Sequence, residues 1–544
     1  MPPADPDRPR PTMSRSVLRG VRWAALPFGV LYLVLLALQF RGVVASTNLD
    51  ADTVSAPVIG QLFAGAPTHA SVVLGEFGWY ATLLAELATK WLPMHRQVWE
   101  VMPYALALAG AALAAWSVWQ VAGRWAAGLT AVVLICAAPA TLHLLLSMTQ
   151  HAPDWFCLAL LAAFLVLLER RAVGLRWTAL GLAVLAVGAI MGVNAASDPL
   201  LVIAGLAPFA LAALTAFLLA RGPESARALR VALGTLVVTG IAWLVTEAVM
   251  SALNVSPEPG LSTTMLASAG KIAANFTLWW QSIAVLGNGD FFGLELSFAF
   301  GLAVTCAALS VGAVVLLPRV GWRELRPRAA ATHSPAQPAR LAFMVFWCSS
   351  ATLLTLAFLL SATPVDIRAD RYLVGLIYAA AAVIPAIATG RRRTEAAVLA
   401  GVCIFALAGV ISMAKDSVTR NTGGFPSTGM ARQIAQIAAA HHLKFGYSGY
   451  WDAAPITWAS HFRIQVYPVS ICDRGAHLCR FDLHFISSWY TPRPGAGSFL
   501  LTDPSLRLVP APTPGLGRPT AVYHVGRIAM YVYPYDLATR IVSY

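Results

Sequence analysis

Long apolar runs separated by short polar breaks dominate the first three quarters of the chain. A hydrocarbon core about 30 Å thick needs roughly 20 apolar residues per helix. Stretches of that kind fall at 23–40, 101–121, 126–147, 155–168, 177–193, 199–219, 231–250, 292–317, 342–362, 372–390 and 395–413. The pattern therefore predicts about eleven spans. Segment 155–168 is short and is expected to extend toward Asp154. Segment 260–290 is only semi-apolar and holds Lys271 and Asn275, which places it outside the bilayer. The first span is too long for a removed signal peptide and lacks a small-residue cleavage site.

Beyond residue 413 the pattern changes: Gly, Pro, Tyr and His become frequent and long apolar runs stop. Thr422-Gly423-Gly424-Phe425-Pro426 reads as a linker. A helix is expected over 429–443, and strands over Phe445–Tyr450, Ile464–Ile471, Ser498–Thr502, Ala521–Val525 and Ile528–Tyr533. The fold class predicted is an α-helical polytopic membrane protein followed by a small α/β domain. Its parts are a basic N-terminus (1–22), a membrane domain (23–413) with a long first outward loop (41–100), and a C-terminal domain (414–544).

Composition narrows the class further. Charged residues make up 12% of the chain, against about 25% in soluble domains, which excludes a disordered protein, a coiled coil and an ordinary soluble enzyme. The net charge of +13 would by itself suggest a nucleic-acid partner, but the arginines are placed by topology. Arg8, Arg10, Arg15, Arg19, Arg22, Arg124, Arg170, Arg171, Arg176, Arg221, Arg227, Arg230, Arg319, Arg323, Arg326, Arg328, Arg340 and Arg391–Arg393 all fall on alternate connections. Positive charge is retained on the cytoplasmic side. The N-terminus is therefore expected inside the cytoplasmic (inner) membrane of a bacterium, and an odd number of spans puts 414–544 outside. The nucleic-acid reading falls away. The C-terminal region keeps a net positive charge that suits an anionic lipid or glycan surface.

Cys136, Cys157, Cys306, Cys348 and Cys403 lie in apolar spans as buried thiols. Cys472 and Cys479 lie in the polar outer region and are expected to form a disulfide, which oxidising compartments sustain. The rival is a metal site with His477 as a third ligand, but zinc usually takes four ligands and no fourth is near in sequence.

Candidate chemistry gathers on the outward loops. No glycine-rich phosphate loop ending in Lys-Ser/Thr occurs, so a nucleotide-hydrolysing motor is not expected. Asp50 and Asp52 follow the first span. They read either as helix-start residues or as carboxylates that take a proton from a hydroxyl. Phe77, Tyr80, Leu83, Leu84, Leu87 and Trp91 recur at helical spacing with a Glu86–Lys90 pair, predicting an amphipathic surface helix over 76–92. His151 and Asp154 lie three apart in the short second outward loop (149–155), for acid/base or phosphate-binding work, with Asp154 alternatively capping the next helix. Ser197-Asp198-Pro199 reads as a helix start. Arg368 and Arg371 stand on the side that positive charge avoids. They either pair with Asp366 and Asp370 or bind a phosphate through the guanidinium fork. In the outer domain Tyr447, Tyr450, Trp451, Asp452, Trp458, His461, Trp489 and Tyr490 are read first as core and second as sugar contacts.

Together these residues resemble the GT-C class of integral-membrane glycosyltransferases, which take sugars from polyprenyl-phosphate carriers. The resemblance covers roughly residues 15–413. It rests on Asp50-Ala51-Asp52 in the first outward loop, the surface helix at 76–92, and Arg371-Tyr372-Leu373 at the outer start of a late span. It implies an inverting single displacement in which Asp50 or Asp52 is the general base. Arg368 and Arg371, with His151, Asp154 and Tyr372 nearby, would bind the donor and stabilise the departing lipid phosphate. The implied partners are the lipid bilayer, a polyprenyl-phosphate-linked sugar, and a glycan, lipid or protein acceptor of the cell envelope. The His-Pro-Pro type signature of protein mannosyltransferases is not evident, which leaves the acceptor open. A monophosphate donor has no diphosphate for a metal to bridge, so a divalent metal is compatible with the motif but not predicted from it. The competing readings are a lipid-linked sugar transporter or flippase, and a non-catalytic envelope-assembly protein.

Overall fold

The computed structural model describes residues 23–47, 51–63, 65–67, 70–74, 95–147, 151–171, 174–220, 222–257, 265–325, 337–415, 427–472, 477–504 and 512–542. The expected surface helix at 76–92, the linker at 422–426 and Asp50 lie outside these residues.

The membrane part is built from α1 (Leu26–Thr47), α2 (Ala51–Phe63), α3 (His95–Ala122), α4 (Arg124–Ile135), α5 (Pro139–Leu146), α6 (Ala152–Arg171) and α7 (Trp177–Ser197). A π-helical turn then leads into α8 (Ala207–Ala220), followed by α9 (Pro223–Ala252), α10 (Ala269–Leu286), α11 (Phe298–Leu325) and α12 (Gln337–Leu360). A 3₁₀ turn at Ile367–Leu373 opens α13 (Val374–Ala388), and α14 (Arg392–Ala414) ends the series. Among the described residues ten of these helical stretches are long and apolar enough to cross a membrane, and eleven crossings result if α4 and α5 count as one. Each corresponds to one of the eleven apolar runs in the sequence. Leu38, Leu182, Leu244 and Phe298 stand more than two-thirds exposed on them, as lipid-facing side chains do.

Two details depart from a simple set of rods. The run 126–147 is broken between Ile135 and Pro139, where α4 and α5 meet at 85°. A break exposes backbone carbonyls that hydrocarbon cannot solvate. Here Tyr32 donates its hydroxyl to the Ala137 carbonyl at 2.9 Å, and the Asn288 amide donates to the Cys136 carbonyl at 3.1 Å. Segment 260–290, expected outside the bilayer, contains the helix α10. Its buried Asn275 donates to the carbonyls of Phe358 and Ser361 at the end of α12, and α10 is not among the helices apolar enough to span. Close packing elsewhere uses small residues. A Cβ on Gly188 or Gly192 of α7 would come within 2.6 Å of α9, against Val238 and the Thr239 carbonyl respectively, the approach that small residues four apart permit in membrane helices.

Hydrogen bonds sort the helix ends into two faces. On one, Arg227 donates to the Leu175 carbonyl at 2.8 Å, Arg170 to the Gln120 side chain at 3.0 Å, and Ser225 to Glu169 at 2.9 Å. On the other, the hydroxyls of Thr53 and Ser147 are 3.0 Å apart, and Gln39 donates to the Met413 carbonyl at 3.0 Å. Arg-rich connections and chemistry-bearing loops thus occupy opposite faces.

The C-terminal region is α15 (Thr428–Ala440), β3 (Phe445–Ser448), α16 (Tyr450–Ala459), β4 (Gln465–Cys472), β5 (His477–Arg480), β6 (Phe485–Ile486), β7 (Ser498–Thr502), β8 (Ala521–Val525), β9 (Ile528–Tyr533) and β10 (Ile541–Val542). Seven strands form one mixed sheet in the order β10-β5-β4-β3-β7-β9-β8. Strand β3 is parallel to both its neighbours, while β7, β9 and β8 are antiparallel. The strand expected over Phe445–Tyr450 stops at Ser448, because Gly449 turns the chain into α16. Cys472 of β4 lies opposite His477 of β5, and Cys479 opposite Ser470, so the Cys472–Cys479 disulfide links the two strands diagonally.

A second, small sheet joins this domain to the membrane part. Strand β1 (Val72–Leu74) of the first loop lies between β2 (Val255–Pro257), which follows α9, and β6. A core containing Ile59, Val72, Leu74, Val255, Ile486 and Trp489 fills the junction. The domain is therefore docked on the loop face, and the aromatic residues Tyr447, Trp458 and Trp489 are buried in it.

Candidate functional site

Asp52 lies in the first turn of α2, just past α1. The bland reading of an acid at a helix start is satisfied in part, since carboxylates favour that end of the dipole. Its side chain nevertheless remains 20% exposed and meets two groups from distant parts of the chain. The Tyr450 hydroxyl donates to Asp52 Oδ1 at 2.6 Å, and Arg371 Nη1 stands 4.0 Å from Asp52 Oδ2. One carboxylate thus receives a hydroxyl from the C-terminal domain and faces a guanidinium from the start of a late span.

Arg371 is carried by the 3₁₀ turn that opens α13, where Asp366 is the N-cap and accepts the Arg368 backbone N–H at 3.0 Å. Asp366 is accounted for by capping. Arg371 instead turns toward Asp52, with Nη2 donating to the Tyr372 hydroxyl at 3.3 Å. Arg368 takes a different place, with its guanidinium 5.7 Å above the Trp451 ring. The two arginines, alike in sequence, therefore divide: one faces the carboxylate and the other lies over Trp451 of the C-terminal domain.

Tyr450 is held as a plate. Phe481 and His484 stack on its ring at 5.1 and 5.4 Å, and Trp451 meets it edge-on at 5.1 Å. His484 is buried, and burial pushes its pKa down to about 3, so it stacks as a neutral ring at any physiological pH. With the ring fixed, only the hydroxyl distinguishes Tyr450 from Phe. If the chain carries out the sugar transfer that the resemblance implies, Tyr450→Phe is expected to keep the domain docked while lowering kcat about tenfold with little change in KM, a split read from steady-state kinetics. Equal effects on folding yield and activity would reduce Tyr450 to a docking residue.

Beside it, Asp452 is 2% exposed in the first turn of α16. Burial raises its pKa from 3.8 to about 7; Asp503 adds to the rise, while Arg527 and Ser448 oppose it. The folded chain therefore holds a proton that the unfolded chain has already released between about pH 4 and pH 7. Stability is greatest below that window and falls as pH rises through it. Melting of the wild type is expected at lower temperature at pH 8 than at pH 5, with a smaller difference in Asp452→Asn. An unchanged difference in the variant would place the pH dependence elsewhere.

A second cluster lies under Tyr372. His151, just before α6, packs against the Tyr372 ring, tilted at 55° with the ring centres 5.1 Å apart. Its Nδ1 contacts Asp198 Oδ2 and lies 3.9 Å from Asp154 Oδ2. Ligand atoms of His151, Asp154 and Asp198 all fall within 4.8 Å of one another, the group among the described residues with a metal-ligand arrangement. Asp198 also accepts the Leu200 backbone N–H at 2.9 Å. The helix-start reading of Ser197-Asp198-Pro199 is thus correct for one oxygen of Asp198 and incomplete for the other.

The structure assembles Asp52, Arg371 and Tyr372 at one point, with His151 and Asp154 behind Tyr372. It sets Arg368 to one side, and the Cys472–Cys479 disulfide is a feature of the C-terminal sheet. Tyr450 and Asp198 are the residues that sequence reasoning did not join to the site. Their partners are 398 and 47 positions away respectively, beyond any local pattern.

No protein-family model matches the chain, and no curated protein matches it. Two solved structures do: ArnT from Cupriavidus metallidurans bound to undecaprenyl phosphate, and the same protein in the apo state. Each is 15% identical, with alignment covering 92% of this chain and 97% of that one at a TM-score of 0.46.

Proposed function

We propose that the chain is a GT-C class glycosyltransferase that moves a sugar from a polyprenyl-phosphate carrier to a cell-envelope glycan, lipid or protein. The reaction takes place at the outer face of the cytoplasmic membrane. The observation that carries this reading is the meeting of Asp52 and Arg371 at the loop face, opposite the Arg-rich face. That face is outside by the positive-inside rule, which also puts the N-terminus inside and the docked C-terminal domain outside.

A carboxylate and a guanidinium side by side supply the two needs of sugar transfer from a lipid phosphate. Asp52 takes the proton from the acceptor hydroxyl as that oxygen attacks the anomeric carbon. The bond from that carbon to the phosphate oxygen breaks, and the electron pair leaves with the phosphate. Arg371 faces the negative charge that builds there, where a fixed donor is most effective. Attack opposite the leaving group inverts the sugar. In the resting protein Arg371 and Asp52 neutralise each other; an arriving phosphate competes for the guanidinium and leaves Asp52 a stronger base. Tyr450 orients the carboxylate from above, and Tyr372 holds Arg371 from the side. The aromatic residues around Tyr450 and the cleft along α2 lined by Thr53, Trp99, Glu100, Tyr104 and Trp458 flank the place where the substrates meet.

Purified full-length protein in detergent or nanodiscs, given labelled polyprenyl-phosphate sugar and envelope acceptors, tests the reading. Labelled acceptor and free polyprenyl phosphate are the expected products. Movement of the intact lipid-linked sugar across a vesicle without transfer would favour a flippase. Neither transfer nor movement would favour an assembly protein.

A further inference from the structure

We propose that His151, Asp154 and Asp198 form a binding site for a single divalent transition-metal cation, zinc foremost, that ties the start of α6 to the end of α7 beneath Tyr372. His151 and Asp154 come from the start of α6 and Asp198 from the end of α7, and the residues are 1%, 2% and 1% exposed. Their ligand atoms converge within 4.8 Å, and imidazole with carboxylate oxygens is a ligand set that zinc accepts, typically three protein ligands with one position open.

Charge gives the second argument. Two carboxylates buried together in a low-dielectric setting repel one another, and a protonated imidazole would offset only one of them. A dication with a neutral imidazole and two carboxylates sums to zero. A third observation is independent of both. Asp154 Oδ2 is fully buried with no hydrogen-bond partner among the described residues, and it points toward His151 Nδ1 at 3.9 Å. A buried carboxylate oxygen without a donor carries a large desolvation cost, and a cation in the cluster satisfies it. Asp198 is already oriented for the task, since its other oxygen is held by the Leu200 N–H. Outer hydrogen bonds of this kind fix metal-ligating carboxylates.

The cation acts through position. The His151 ring supports Tyr372, and Tyr372 receives Arg371, so the metal would stiffen the wall that carries Arg371. The site stands on its own geometry and does not depend on the transfer reaction.

The experiment uses the full chain, purified in detergent through a histidine-free affinity tag, stripped with a chelator and then titrated with zinc or magnesium chloride. After gel filtration, elemental analysis is expected to find about one zinc per chain, and the melting temperature should rise when zinc is restored. Asp154→Asn and Asp198→Asn should each weaken zinc binding by tenfold or more. Cobalt(II) loaded into the wild-type chain should show d–d absorption without a thiolate charge-transfer band. That measurement keeps the proposal testable if the variants fail to fold. Wild-type protein that retains no zinc and whose melting is unmoved by it would overturn the site, leaving a shared proton to hold the cluster together. Undiminished stoichiometry in His151→Gln/Asp154→Asn, or a thiolate band with cobalt, would place the metal elsewhere and overturn it equally.

Discussion

Asp52→Asn is expected to lower kcat for sugar transfer by about 10²–10⁴, the range that a general base contributes, while leaving the protein folded. Asn keeps the shape and still offers an oxygen to the Tyr450 hydroxyl, which lies 2.6 Å from Asp52 Oδ1. It cannot take a proton, and it no longer attracts Arg371. Donor binding should therefore hold or improve slightly, because the phosphate no longer competes with Asp52 for the guanidinium. The measurement is single-turnover transfer alongside donor affinity, with gel-filtration behaviour as the folding control. Asp50→Asn, made in parallel, separates the two acids of the motif. Activity lost only in Asp50→Asn would move the base to Asp50. Transfer that survives both substitutions together would sink the proposed chemistry.

Arg371→Ala is the second large effect, with a loss of about 10²–10³ in kcat expected from removing a preorganised donor at a developing negative charge. The side chain faces Asp52 at 4.0 Å and holds Tyr372 at 3.3 Å, so truncation removes both the cation and the brace on its neighbour. Arg371→Lys should recover part of the activity, because it restores charge without the planar fork that spans a phosphate and the Tyr372 hydroxyl. Arg368→Ala is the internal comparison: its guanidinium lies 5.7 Å from the Trp451 ring, and the expected loss is severalfold at most. Donor titrations with each variant check the ranking. Equal losses for Arg368→Ala and Arg371→Ala would show that general positive charge near the membrane surface, rather than one placed guanidinium, serves the donor.

Several elements were legible without coordinates because their causes are local. Every apolar run is helical, and all but 126–147 without a sharp break, since about 20 consecutive apolar side chains need no distant partner to leave water. The strands over Ser498–Thr502, Ala521–Val525 and Ile528–Tyr533 coincide with β7, β8 and β9. Departures came where a distant group settled a local choice. The run 126–147 looked continuous, and its break is tolerated because Tyr32 and Asn288 satisfy the carbonyls it releases. Segment 260–290 is expected outside the bilayer, and α10 there is not among the helices apolar enough to span; only the structure shows that its Asn275 donates to carbonyls at the end of α12.

The same division runs through the candidate site. The sequence by itself determined that the chain crosses a membrane many times, which connections carry the positive charge, and that acids and two unexpected arginines stand on the opposite loops. Each of those facts is a property of a short window, summed residue by residue. Only the tertiary structure decided that Arg371 rather than Arg368 faces Asp52, that Tyr450 of the C-terminal domain reaches the same carboxylate, and that Asp198, a correct helix cap, also meets His151. Such pairings are set by how helices and a sheet pack across hundreds of residues. A side chain's partner is fixed by that packing geometry and leaves no periodic trace in the chain.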